Sequence, residues 1–175
     1  MIYLNLMRHA KTDLNNYNGD DFERPICKKG ILKTDAVKRY LESKKVSFDL
    51  YFCSPSVRTK QTLQCLLKNK SIKNKKIIED YNLYDGNKEN FLLKIIKIKN
   101  CKNILVLTHE PQISYFLNFF LSESNCSKKL RELHPVTSSL ISIKFDSEEW
   151  DSISKHNAEL FKFIDPNKLL KQKNK

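Results

Sequence analysis

Two arginines and two histidines stand where a phosphate could be held and attacked. Arg8 and His9 close the apolar run "IYLNLMRH", Arg58 follows "CSPSV", and His109 closes "NILVLTH". A guanidinium forks onto two phosphate oxygens through parallel N–H donors. A neutral imidazole is a nucleophile that can accept a phosphoryl group covalently. A second imidazole beside it can donate where charge accumulates in the transition state. A carboxylic acid, for which Glu79 is the candidate, would protonate a poor leaving group and later activate water. Taken singly, each of these residues reads as structural or solvated, and only the joint pattern points to phosphoryl chemistry. His134, before Pro135, and His156, in a polar stretch, lack such a context and read as surface residues. There is no HExxH, no closely spaced carboxylate set and no Cys/His ligand cluster, so neither a metal nor another cofactor is expected.

The elements that must position these groups alternate. Short apolar runs at Ile2–Arg8, Phe48–Cys53, Lys76–Glu79 and Asn103–Thr108 read as strands, as do Leu140–Phe145 and Glu159–Ile164. Between them, Ile31–Glu42 carries Leu32, Ala36, Val37, Tyr40 and Leu41 on one helical stripe. Ser54-Pro55 reads as the opening of a helix through Leu67, Glu89–Lys97 as another, and Pro111 as the start of a third. Strands alternating with helices predict an α/β three-layer sandwich with a mostly parallel central sheet. In such sheets, ligands bind beyond the carboxyl ends of the strands. Those ends are where Arg8-His9, Ser54 with Arg58, Glu79 and Thr108-His109 fall.

The bulk properties set the limits. A chain of 175 residues with 40% hydrophobic content suits one domain, expected over residues 1–166, followed by a polar, lysine-rich tail at 167–175 that frays or forms a short helix. No apolar run reaches the roughly 18–20 residues of a membrane helix, and the N-terminus does not read as a signal peptide. Five scattered cysteines without a CxxC pair read as reduced thiols in a cytoplasm. With 32 basic against 20 acidic residues the net charge is +12. The excess is mostly lysine spread along the chain, which reads as compositional bias or as a basic surface that would steer an acidic or phosphorylated partner.

In these motifs the chain resembles the histidine phosphatase superfamily, the phosphoglycerate-mutase-like clan. "LMRHAKTDLN" resembles its RHG signature, with Ala10 where Gly is frequent, and "RPICKKG" its R-P-L-T-x-x-G stretch, with Cys27 in place of Thr. "CSPSVRTKQT" is similar to its S-P-x-x-R-x-x-Q-T segment, "VLTHEP" to its second histidine block, and "VTSSLISIKF" to its C-terminal strand. "IIEDYNLYDG" resembles the segment where many members carry an acid. The resemblance covers about Met1 to Phe145 and implies a phosphoglycerate-mutase-like fold. It implies that His9 is the phosphate-accepting nucleophile and that Arg8, Arg58 and His109 complete the phosphate pocket. Glu79 stands at the general-acid position, and Asn15 at a phosphate-contacting position of the mutase-like branch. Thr108 and Glu110 flank the second histidine without a catalytic assignment.

The small size and the "SPSVRTKQT" and "THEP" forms look most like SixA-type phosphohistidine phosphatases, with no large cap insertion. The implied partner is then a phosphohistidine-bearing protein, and Glu79 is dispensable because a P–N bond needs less acid help. A small-molecule phosphomonoesterase or mutase is the alternative, favoured by Asn15 and Glu79. Two further readings are weaker. In a thiol phosphatase loop Cys53 and Arg58 would enclose five residues, but here they enclose four without a glycine. A basic nucleic-acid-binding module or catalytically idle relative has no RNP, KH or zinc-finger pattern behind it.

Overall fold

The structure is a computed structural model and describes residues 1–14, 17–68, 76–122 and 133–172. Its centre is a strand, β1 (Ile2–Arg8), whose alternate side chains go to opposite sides. Leu4 and Leu6 face one apolar layer and Met7 the other. The same alternation divides β4 (Asn103–Thr108), with Ile104 and Val106 on the first side and Leu105 and Leu107 on the second. A strand with both faces buried must be apolar throughout, which is why "NILVLT" reads as a continuous run.

The remaining strands are β2 (Leu50–Cys53), β3 (Lys76–Glu79), β5 (Leu140–Phe145) and β6 (Ala158–Ile164). They join one sheet in the order β3-β2-β4-β1-β5-β6. The first four are parallel, and β5 and β6 are antiparallel additions at one side. The register Arg8↔Thr108 and Cys53↔Leu107 brings the carboxyl ends of β1, β4 and β2 to one edge.

Helices cover both faces, giving the three-layer sandwich with a mostly parallel sheet. On the first face lie α3 (Lys88–Ile95), through Phe91 and Ile95, and α4 (Gln112–Leu121), through Ile113, Phe116 and Phe120. On the second lie α1 (Lys28–Ser43), through Val37 and Leu41, and α2 (Val57–Leu67), through Leu63, Leu66 and Leu67. Burial of each such side chain contributes roughly 1.5–3 kcal/mol. Asn87 caps α3, its Oδ1 accepting from the Glu89 and Asn90 amides. The last described segment, where a polar tail is expected, contains the helix α5 (Pro166–Gln172). It packs on α1 and sets Leu169 against the second layer. No helix among the described residues is long and apolar enough to cross a membrane.

One expectation at the edge of the site is corrected. Ser54 does not cap α2. Its amide still bonds the Leu107 carbonyl at 3.0 Å, so pairing with β4 extends one residue past β2, and Ser56 takes the capping position. The Ser54 side chain is thereby released toward His109.

Candidate active site

Backbone bonds hold the end of β1 on both sides. The His9 amide donates to the Thr108 carbonyl at 2.9 Å, and the Ser138 amide lies 3.1 Å from the carbonyls of Arg8 and His9. The loop after the strand is tied to α2. Thr62 Oγ1 accepts the Ala10 amide at 2.9 Å and donates to the Arg58 carbonyl at 2.6 Å. Gly30 allows α1 to approach this loop, because a Cβ there would lie 2.4 Å from the Lys11 carbonyl oxygen.

The structure brings Arg8, His9, Arg58 and His109 together. His9 and His109 are nearly buried, with ring centroids 5.6 Å apart and planes at 62°. His9 Nδ1 lies 2.7 Å from the Ala10 carbonyl oxygen. A carbonyl only accepts, so Nδ1 carries the proton and Nε2 of the neutral ring keeps its lone pair. His109 Nε2 is 3.0 Å from Ser54 Oγ. Arg8 Nη1 donates to the Pro135 carbonyl at 2.7 Å, and Arg58 projects from the first turn of α2.

Burial, with the positive charges of Arg58, Arg8 and Arg24 behind it, holds the His9 pKa down to about 4 against the opposing pull of the Ala10 bond. Burial, then Arg58 and His9, holds His109 down to about 3. Both rings are therefore neutral near pH 7 in the free protein. Arg8 Nε, Arg58 Nε and His109 Nδ1 are buried without a hydrogen-bond partner among the described residues. An oxyanion bound among them would supply acceptors for these donors, and its charge would favour protonation of His109.

The residues that sequence reasoning missed come from loops. Asp21 lies in a short 3-10 turn (Asp21–Glu23) and pairs with Arg58 Nη2 at 2.9 Å and with Arg24 Nη2 at 2.7 Å. Burial pulls its carboxyl pKa up, but Arg58 and Arg24 outweigh it and hold the group below the usual carboxylate value. Tyr84 lies edge-on to His109 at 5.5 Å, with the Arg58 guanidinium 5.8 Å from its ring centre. On the His109 side an open depression of about 280 Å³ is bounded by Tyr84, Lys88, Glu110 and Gln112. Glu110 Oε1 is buried there without a partner among the described residues. The acidic pair before Arg24-Pro25 is the only sequence signal that could have found Asp21, and Tyr84 has none.

Glu79 is set apart from this group. It ends β3 opposite Cys53, its side chain is 54% exposed, and Lys60 Nζ lies 4.0 Å away. The following residue, Asp80, is the one turned inward, where it accepts from Lys94 Nζ at 2.6 Å and from Asn82. Asn15 lies outside the described residues. The thiol-phosphatase reading of Cys53 fails on chemistry. Its buried Sγ–H donates to the Ser54 carbonyl, and burial pushes its pKa up to about 12, so it is no thiolate.

Comparison with known proteins gives the same frame. Residues 4–89 match the model of the histidine phosphatase superfamily (branch 1). No curated protein matches the chain in sequence. Among solved structures, SixA from Nakamurella multipartitia superposes with a TM-score of 0.78 at 22% identity, covering 94% of this chain and 96% of that one. The protein histidine phosphatase SixA complexed with tungstate gives 0.77 at 19%, covering 96% and 99%. The phosphoglycerate mutase of Bacillus anthracis str. Sterne gives 0.64 at 16%, covering 98% and 96%. At these identities the likeness is one of fold, a phosphoglycerate-mutase-like sandwich without a large insertion. The family model over residues 4–89, the fold and the ordered motifs agree in likening this chain to the histidine phosphatase superfamily.

Proposed function

We propose that the chain is a phosphatase that carries the phosphoryl group on His9 Nε2, and that its substrate is phosphohistidine in a protein. The observation that carries the reading is the bond from His9 Nδ1 to the Ala10 carbonyl, which leaves Nε2 unprotonated beside Arg8, Arg58 and His109. In the first step Nε2 attacks phosphorus, and the P–N bond to the substrate imidazole breaks as that nitrogen takes up a proton. His109, protonated once the anion is bound, is the donor in reach. In the second step water attacks the phosphorus and gives its proton to the now neutral His109, the His9 Nε2–P bond breaks, and inorganic phosphate leaves with both histidines restored.

An open mouth without an inserted cap suits a side chain on a protein surface. The same fold in structures of SixA, one of them named a protein histidine phosphatase, supports this substrate class. The free thiols Cys27, Cys53, Cys65 and Cys101 suit a reducing compartment such as the cytoplasm. A small phosphate ester is the second reading. Glu110 favours it, because its unpartnered Oε1 in the depression offers a carboxyl group for an alkoxide leaving group.

The test compares a phosphohistidine peptide with p-nitrophenyl phosphate and a panel of sugar phosphates, with His9→Ala as the blank. Fast His9-dependent release from phosphohistidine with weak ester cleavage is expected. The reverse preference overturns the substrate assignment and favours the ester reading.

A further inference from the structure

A well-formed cavity lies at the opposite end of the sheet from the histidines. It is a cleft of about 450 Å³ between the end of α1 and the sheet, closed on its far side by β6. That volume is within the range of small-molecule sites. Its floor departs from the pattern that surrounds it. The sheet face under α1 is apolar at Met7, Leu105 and Leu107, yet toward the amino end of β1 it presents Asn5, Ser142 and Asn103. Asn5 and Ser142 are only 4% and 6% exposed. Asn5 donates to the Asn103 side chain at 2.6 Å and to the Ile104 carbonyl at 2.9 Å, and accepts from Ser142 Oγ at 2.6 Å. The floor is thus a fixed polar surface whose hydrogen bonds hold it rigid without a ligand.

The walls carry charge of one sign. Lys44, Lys45 and Lys162 line the cleft, and among the described residues no carboxylate does. None of the three forms a salt bridge among the described residues, whereas Lys144, on the neighbouring strand, is paired with Glu159. Lys162 Nζ lies 5.6 Å from the ring centre of Tyr40, so the cation and the aromatic face meet across the opening. Tyr3 and Phe161 make a second aromatic pair at the rim, with centroids 5.2 Å apart. Unpaired cations held beside aromatic rings in one concavity select for a ligand with an anionic group and a flat apolar body.

We infer that this cleft is a second ligand site, distinct from the histidine pocket, that takes a small anionic aromatic molecule. The charge group lies among Lys44, Lys45 and Lys162, and the planar body lies against Tyr40 and Phe161 over the Asn5–Ser142 floor.

The test is a fluorescence titration of the full chain with anilinonaphthalene sulfonate, an anionic aromatic probe, at neutral pH. Tungstate is present in excess to occupy the histidine pocket. One saturable site is expected, retained in His9→Ala. The double variant Lys44→Gln/Lys162→Gln should weaken binding at least tenfold, and Lys144→Gln should leave it unchanged. Far-UV circular dichroism checks that each variant is folded. If the double variant does not fold, the single variants Lys44→Gln and Lys162→Gln carry the same expectation at threefold or more. The inference is overturned by three outcomes: no saturable binding, binding indifferent to the lysine substitutions, or binding abolished by tungstate. None of these bears on the phosphatase reading, which rests on residues at the other edge of the sheet.

Discussion

The imidazoles of His9 and His109 meet edge to face at 5.6 Å, each delivered by the end of one of two adjacent parallel strands. The pairing register Arg8↔Thr108 makes their proximity a property of the sheet and not of a mobile loop. Two neutral rings, one with a defined free nitrogen, beside the buried Arg58 and the half-buried Arg8 form an arrangement set before any anion arrives.

If His9 carries the phosphoryl group, His9→Ala abolishes turnover of every substrate. Stopping the wild-type reaction in base and analysing the protein should reveal an alkali-stable, acid-labile phosphate on His9. A variant that keeps more than about one part in a thousand of the wild-type rate would sink the covalent route, since loss of a catalytic nucleophile costs about 10⁶.

Arg58→Ala should lower kcat/KM by about 10²–10³, as removal of a transition-state donor does. The loss should exceed that of Arg24→Ala, because Arg24 reaches the site through Asp21 while Arg58 is itself part of it. Equal losses in steady-state kinetics would place both arginines in the same role.

Glu79→Gln should change the rate on phosphohistidine less than about twofold, since its carboxylate faces solvent and Lys60. Glu110→Gln separates the substrate classes. It should leave phosphohistidine turnover nearly intact and reduce p-nitrophenyl phosphate turnover less than that of an alkyl phosphate, whose leaving group needs the proton most. A uniform loss on all three substrates would show that Glu110 positions the pocket and donates nothing.

Stability should fall on acidification before ordinary carboxylates titrate. In the unfolded chain both histidines take up protons near pH 6.5, while in the fold they do so near 4 and 3. Between those values the unfolded state holds more protons, so stability rises with pH across the window and is lost as pH falls below about 6.5. At pH 5 the loss is on the order of 2 kcal/mol for each histidine. Urea midpoints at pH 7 and pH 5 measure it, and His109→Gln should flatten the difference by about half.

Gly30→Ala should lower the melting temperature, because the new methyl group meets the Lys11 carbonyl and Ala10. Overpacking of this kind costs roughly 1–3 kcal/mol. An unchanged melting curve would mean that the loop after β1 yields freely, in which case the position of His9 is less constrained than its hydrogen bonds imply.

Much of this architecture is legible in the chain, for a definite reason. Ile2–Arg8, Asn103–Thr108 and Leu140–Phe145 are apolar runs with polar boundaries, and the sheet buries them between those boundaries. Arg8, His9 and His109 then follow from strand ends alone, and Arg58 from the first turn of the helix beyond β2. Asp21, Arg24 and Tyr84 do not follow from any periodicity. They arrive through loops whose course depends on tertiary contacts, such as the packing of Phe22 on Tyr84. Ser54 misleads because Ser-Pro is a good helix opening, yet one more backbone bond to β4 outweighs that local preference. Glu79 misleads because a strand end points at the site in sequence, while alternation along the strand sends the neighbouring Asp80 inward instead.

The Thr62 hydroxyl, accepting from Ala10 and donating to Arg58, works as a shared pin. The chain just after His9 and the helix that bears Arg58 are joined through the same atom, so neither drifts without dragging the other. Replacing that hydroxyl with the methyl of valine keeps the shape and unpins both parts. The cost would appear as slack in the spacing between His9 and Arg58, even while each half remains well folded.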